Sequence, residues 1–261
     1  MLRALTTAAT GMIAQQLNID VISNNLANVN TAGFKKVRAE FQDLLSQTLR
    51  SPGAQVAQGT YQPIGIQVGL GTRTSGTQKD FSEGTFKSTG GKYDVAIEGE
   101  GFFQVQMDDG SIAYTRDGSF KVDANGQLTT TDGYPIIPQI TLDQNVSEVV
   151  ITSDGSVSVK KGSDVNMTTV GTFQLVKFAN SSGLLSVGKN LYTETAGSGS
   201  PIQGQAGQNG FGTTQQGFLE GSNVQVVEEL INLIQAQRAF EANSRLITAS
   251  DELLKTANRL S

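Results

Sequence analysis

Apolar residues near the start of the chain recur with a helical period. Leu5, Met12, Ile19 and Leu26 are spaced by seven, with Leu2, Ala8, Ala9 and Ile22 beside them. Ile13, Leu17, Val21 and Val29 fall outside that stripe, so the apolar surface wraps more than half of the predicted cylinder. A helix on the outside of a lone globule needs only one apolar face; this one is patterned for neighbours on several sides. Asn28-Val-Asn-Thr-Ala-Gly33 supplies the stop, Gly33 being suited to a left-handed position after the last turn.

The other end mirrors the first. Val224 to Leu260 holds neither Pro nor Gly, and Val226, Leu233, Phe240, Ile247 and Leu254 are again spaced by seven. Ala239, Leu246, Leu253 and Leu260 form a second row. Ser222 with Gln225 predicts a capping box; Glu228 and Glu229 suit the first turns, and Lys255 and Arg259 the last. Such a helix would approach roughly 55 Å.

Between the ends the period changes to two. Asp94–Ile97, Phe102–Val105 and Val146–Ile151 predict strands, joined by Gly171–Phe178 and Gly188–Thr193. Asp109-Gly110, Asp117-Gly118, Asn125-Gly126, Asp132-Gly133 and Asp154-Gly155 predict tight turns between short antiparallel strands. Adjacent Phe102 and Phe103 must point to opposite faces of their strand, one into the core and the other open to core, interface or solvent. Ser51–Ser82, rich in Gly, Gln, Thr and Ser, reads as an extended arm with a strand at Ile64–Val68. Thr195–Gly217 reads as a return path; composition alone fits plain linkers equally well. The expected fold is α+β: long N- and C-terminal helices packed as a coiled-coil-like pair, extended arms, and an inserted, mainly antiparallel β domain. Its layout is 1–32 and 223–261 helical, 33–82 and 195–222 arms, 83–194 β-rich. Leftover apolar surface on the paired ends predicts contacts with further copies. The pattern by itself fits a two-helix hairpin on a monomer, or a dimeric coiled coil, as well as a helical tube.

Composition mainly removes possibilities. The 261 residues include no cysteine and no histidine, which excludes thiol chemistry, the usual triads and most zinc sites. A net charge of −5 argues against nucleic acid. Thr residues and Gln15, Gln16, Asn18 and Asp20 break the N-terminal segment, so no secretory signal peptide is expected, and no run is long enough to insert in a membrane. Chemical motifs are thin. Gly99-Glu-Gly101 lacks the following helix that a phosphate loop needs. Asp123-Ala-Asn-Gly126 and Asp132-Gly133 lack the full calcium-loop spacing. Asp108, Asp109, Asp117 and Asp123 could supply a hydrolytic carboxylate pair, yet turn formation accounts for most of them. No cofactor, metal or catalytic residue is expected.

One motif is dense. Asn24-Asn-Leu-Ala-Asn-Val-Asn-Thr-Ala-Gly-Phe-Lys-Lys36 resembles the signature of flagellar basal-body rod and hook proteins, carried on Asn24, Asn25, Leu26, Ala27, Asn28, Thr31, Gly33, Phe34 and Lys35. Asp94–Val105, Tyr114-Thr-Arg-Asp-Gly-Ser-Phe120, Leu219-Glu-Gly-Ser-Asn-Val224 and Gln237-Arg-Ala-Phe-Glu241 look like further motifs of that family. Within it, the length and the Ser51–Arg73 arm most resemble distal rod proteins, with proximal rod and hook proteins next. A phage tail-tube protein would not carry the Asn24–Lys36 motif, and a carbohydrate-acting β protein leaves the long helices unexplained.

The resemblance implies a structural subunit of a helical homopolymer enclosing an export channel, with terminal helices inside, arms between and the β domain outside. Leu5, Met12, Ile19, Leu26, Val226, Leu233, Phe240, Ile247 and Leu254 would form subunit interfaces. It further implies export through the flagellar type III apparatus without a cleavable signal, residence in the basal body across the periplasm, and contacts with proximal rod, hook, P-ring and L-ring proteins. Lys35, Lys36 and Arg38 are expected to face solvent or a partner's carboxylates.

Overall fold

The computed structural model describes residues 2–53, 55–57, 60–61, 63–143, 145–162 and 166–260. It is α+β and divides into two compact units: Met1–Ala27, Val37–Gln78 and Gln225–Ser261 in one, Asn28–Lys36 and Lys79–Val224 in the other.

In the first unit, helix α1 (Leu2–Ala27) packs on helix α2 (Val226–Leu260). The 35 residues of α2 span about 52 Å. Helix α2 carries Glu228 and Glu229 in its first turn and Arg259 in its last, the distribution that its dipole favours. The predicted capping box is not made. Ser222 lies four residues ahead of the first helical residue, and its Oγ accepts the Val224 N–H at 3.3 Å instead. The buried positions are mostly small or polar: Ala8, Ala14 and Asn25 on α1, with Ile22, and Glu229 and Ala236 on α2. The helices approach so closely that a Cβ at Gly11 would stand 2.9 Å from Asn243 Nδ2. Larger apolar residues are left outside this seam, Val227 71% and Leu253 60% exposed, with Ile13, Ile231, Ile234 and Leu246 also open. No helix among the described residues is long and apolar enough to cross a membrane.

The segment between the helices folds back on itself. Val37–Asp43 pairs with Thr72–Lys79, Gln47–Arg50 with Ile66–Val68, and Gln55–Ala57 with Thr60–Tyr61, giving a nested two-stranded ribbon. The stretch read as an extended arm is thus the tip and returning side of this ribbon, whose outgoing side starts at Val37. Leu45, Leu49, Ile64 and Ile66 are exposed on it.

The second unit is strand-rich. Its largest sheet runs, by neighbour, Leu185–Gly188, Leu191–Thr193, Ile112–Thr115, Phe102–Gln106, Gln174–Lys177 and Ile202–Gln205, with Ile136–Ile137 also paired to Phe102–Gln106. Val146–Ile151, Ser156–Lys161 and Thr168–Thr172 form a three-stranded antiparallel meander. The predicted strand Gly171–Phe178 is split, because Phe173 turns into the core between two strands. Thr213–Gln216 pairs with Val95–Glu98, and Phe218–Glu220 with Phe86–Ser88.

Phe102 and Phe103 are both buried, each in its own cluster. Phe103 lies edge-on to Phe120 and Phe173 among Val95, Ile97, Val105, Leu128 and Leu175. Phe102 lies edge-on to Phe81, Phe178 and Tyr192 on the opposite face. Alternation along one strand therefore feeds two cores. Four of the five Asx-Gly pairs end in a left-handed glycine, the turn conformation expected. Gly118 is the exception: it is there for close approach, since a Cβ would fall 1.7 Å from the Val95 carbonyl oxygen.

Phe103→Ala should lower the unfolding free energy of the strand-rich unit by about 3–5 kcal/mol, read from urea titration of the full chain. Ile112→Ala, at an exposed position on the neighbouring strand, should stay within about 0.5 kcal/mol.

Candidate functional site

The Asn24–Lys36 motif begins on the last turn of α1. Asn25 is fully buried there, and its side-chain amide acts as a peptide group would. Oδ1 accepts the Val37 N–H at 2.9 Å, while Nδ2 donates to the Val37 carbonyl at 2.8 Å and to Glu229 Oε2 at 3.2 Å. One side chain thus joins α1, the first strand of the ribbon and α2. Leu26 is half-buried, and Asn24 and Ala27 are exposed.

The rest of the motif belongs to the strand-rich unit. Thr31 closes a turn, its N–H donating to the Asn28 carbonyl at 3.1 Å and its Oγ1 to Asn28 Oδ1 at 3.2 Å. Gly33 is buried at φ +68°, and its N–H donates to the Glu220 carbonyl at 2.8 Å. A Cβ there would meet the Asp117 backbone nitrogen at 2.7 Å, so both conformation and space require glycine. Phe34 is half-buried, and the Lys36 N–H donates to Asn223 Oδ1 at 2.7 Å.

Lys35 departs from expectation. It does not face solvent; it is 1% exposed, with Nζ 2.7 Å from Glu220 Oε1 and 2.7 Å from the Ser82 carbonyl. The other carboxylate oxygen of Glu220 takes Arg116 Nε at 2.8 Å, and Oε1 also accepts the Gly84 N–H at 3.0 Å. Arg116 Nη1 goes on to the carbonyls of Gly99 and Gly101 at 2.8 and 2.7 Å. Two cations thus share one carboxylate out of contact with water. Burial lowers the Lys35 pKa, against the opposing pull of Glu220. Burial pushes the Glu220 carboxyl up, but Arg116 and then Lys35 outweigh it and hold the group below the usual range. Burial, helped by Glu220, raises the Tyr192 hydroxyl to about 12. Arg38 does behave as expected: it is exposed and sits 3.0 Å from Glu40 of its own chain, a pair worth little.

Arg116 and Glu220 stand inside the motifs quoted from the sequence, yet nothing in the spacing marked them. The only local sign was a charge set directly against strand-like apolar residues. Of the other carboxylates considered for chemistry, Asp109, Asp117 and Asp123 close Asx turns. Asp123 accepts the Asn125 and Gln127 N–H groups, both at 2.8 Å, and Asp109 accepts Ser111 N–H and Oγ; those bonds hold both acids below their ordinary pKa.

Comparison with known proteins follows the same residues. Over 260 residues the chain is 50% identical to the flagellar basal-body rod protein FlgG of Buchnera aphidicola subsp. Schizaphis graminum, covering all of both chains. The chain belongs to the flagellar basal-body rod protein family. The FlgG of Borreliella burgdorferi is 48% identical, with 100% of this chain and 99% of that one covered, and the FlgF of Caulobacter vibrioides is 33% identical over 97% and 96%. Residues 5–35 match the flagella basal body rod protein family, 96–159 the flagellar hook protein FlgE/F/G D1 domain, and 215–260 the flagellar basal body rod FlgEFG protein C-terminal family. Each matched region contributes one member of the buried cluster: Lys35, Arg116 and Glu220.

The residues expected at subunit interfaces are neither fully buried nor fully free in the single chain. Leu5, Met12, Ile19, Leu26, Leu233, Ile247 and Leu254 are half-buried, while Val226 and Phe240 are exposed.

Two outcomes follow for this rod-family motif. Gly33→Ala should destabilise the strand-rich unit by more than about 1 kcal/mol, measured by chemical denaturation. Because folded Glu220 titrates below its unfolded value, its contribution is complete above about pH 4.5 and fades as pH falls through the folded pKa. Glu220→Gln should therefore flatten the loss of stability on acidification relative to the parent, read as midpoint against pH.

Proposed function

We propose that this chain is a structural subunit of the flagellar distal rod, polymerising helically into a hollow drive shaft around the export channel. Full-length identity with proteins named FlgG carries the reading. The helix pair supports it physically. Val227, Leu230, Ile231, Ile234, Leu246 and Leu253 of α2 remain open on a helix that already has one partner. Burying such side chains contributes about 1.5–3 kcal/mol each, and a repeated contact between identical copies is the economical source of that burial.

On this reading 1–32 and 223–261 line the tube, 33–82 and 195–222 form an intermediate layer that ties neighbours together, and 83–194 faces outward. The stripe of Leu5, Met12, Ile19, Leu26, Val226, Leu233, Phe240, Ile247 and Leu254 is shared between the helix pair and adjacent copies. The subunit leaves the cell through the type III export apparatus, sits in the periplasm-spanning part of the basal body, meets proximal rod proteins below and the hook above, and turns inside the P and L rings. Its role is structural, with no catalytic residue assigned. A proximal-rod role is the second reading, favoured by the full-length likeness to FlgF.

Basal bodies from a strain lacking the gene should show a rod truncated beneath the outer rings and no hook in electron micrographs. A shorter stub would move the protein to the proximal rod, and an intact hook-basal body would overturn the assignment. Ile234→Asp, on the exposed face of α2, should leave the strand-rich unit folded and abolish motility and rod polymer; normal swimming would count against burial of that face.

A further inference from the structure

We propose that Glu220 gates the docking of the N-terminal motif, so that residues 28–36 settle onto the strand-rich body only once the Phe218–Glu220 strand is in place. Without Glu220, Lys35 and Arg116 would be two like charges brought together out of water. Burial lowers the Lys35 pKa and the Arg116 charge adds to that, while Glu220 supplies the chief opposing pull. Arg116 has other partners in the body, the carbonyls of Gly99, Gly101 and Ile97, so it is held there whether or not Lys35 arrives. Among the described residues Lys35 has the Ser82 carbonyl as its acceptor besides Glu220, with the exposed Glu83 exerting a weaker pull. A buried cation facing another cation is strongly disfavoured, and removing one partner of a buried pair leaves that situation behind.

Glu220 closes the motif through its backbone too. Its carbonyl accepts the Gly33 N–H, and its carboxylate accepts the Gly84 N–H, so the same residue fixes the left-handed turn and the segment leading into the Phe86–Ser88 strand. Among the described residues the Phe218–Glu220 strand pairs with Phe86–Ser88 alone in the sheets. Residues 185 positions apart in sequence therefore dock together or not at all. If the chain is exported unfolded, as the proposed function has it, this ties closure of residues 28–36 to arrival of the strand Phe218–Glu220.

Hydrogen exchange on the full-length monomer tests the gate. In Glu220→Gln, amides at 33–36 and 84 should exchange about 100-fold faster, while amides of Phe102–Gln106 and Gln174–Lys177 keep parental rates. Adding Lys35→Met to that variant removes the charge conflict and should recover at least about tenfold of the protection at 33–36. Parental exchange at 33–36 in Glu220→Gln would overturn the proposal, as would absence of recovery in the double variant. General loss of protection in the central strands would also overturn it, because the gate requires a body that stands before the motif docks. Lys35→Met alone, which leaves Arg116 and Glu220 paired, should retain protection at 84; its loss there would have the same consequence.

Discussion

A carboxylate buried between two cations governs the strand-rich unit. Desolvating three charges costs several kcal/mol per ion, and the mutual attraction roughly offsets that cost when every lone pair and proton is used. Here Glu220 receives Lys35, Arg116 and a backbone amide, and Arg116 also donates from Nη1 to the Gly99 and Gly101 carbonyls and from Nη2 to that of Ile97. The cluster is therefore a poor source of net stability and a strong source of uniqueness. An alternative register of any of its three segments would strand a charge in the interior. Ordinary hydrophobic packing, supplied by the Phe103 and Phe102 clusters, holds the body together; the ions decide which arrangement it holds.

The helical unit follows a different economy. Its inner seam is built from Ala8, Gly11, Ala14, Ala236 and Asn243, with Asn25 and Glu229 near one end, so the two helices approach closely but bury little apolar area. Ile22 joins that seam, but Val227, Leu230, Ile231, Ile234, Leu246 and Leu253 of α2 stay exposed. A helix that reserves its best hydrophobic surface for the outside gains little as part of a lone chain and much as part of a lattice, which is the sense in which the pattern suits a rod subunit.

What could be read from the sequence depended on how local the cause was. Seven-residue spacing and the absence of Pro and Gly located α2 within two residues, and α1 ended just ahead of the Asn28–Gly33 stop, because helix periodicity and termination are short-range. Asx-Gly pairs located four turns for the same reason, whereas Gly118 was mistaken for a turn because its close approach to Val95 is set from 23 residues away in sequence. Lys35 reads as facing solvent or a partner's carboxylates because a charge next to another lysine and an arginine ordinarily belongs there; a partner 185 residues on in the same chain makes its burial tolerable. The ribbon escaped for a related reason. Val37, Ala39 and Phe41 alternate with polar residues on the outgoing strand, but Thr72–Lys79 carries no apolar residue to announce a partner for it. Asn25 belonged to a recognised motif, but its function as a surrogate peptide group could not be inferred without Val37 and Glu229 beside it.

Asn25 has a mechanical corollary. Apolar contact is non-directional, so two greasy helices can creep past one another with small change in energy, as in a lubricated bearing. A hydrogen bond weakens steeply once its angle is lost. By anchoring the end of α1 through three such bonds, to both backbone groups of Val37 and to the Glu229 carboxylate, Asn25 supplies stiffness against axial slip and twist that the seam around it lacks. In a rod subunit, backlash rather than strength is the quantity such a pin controls.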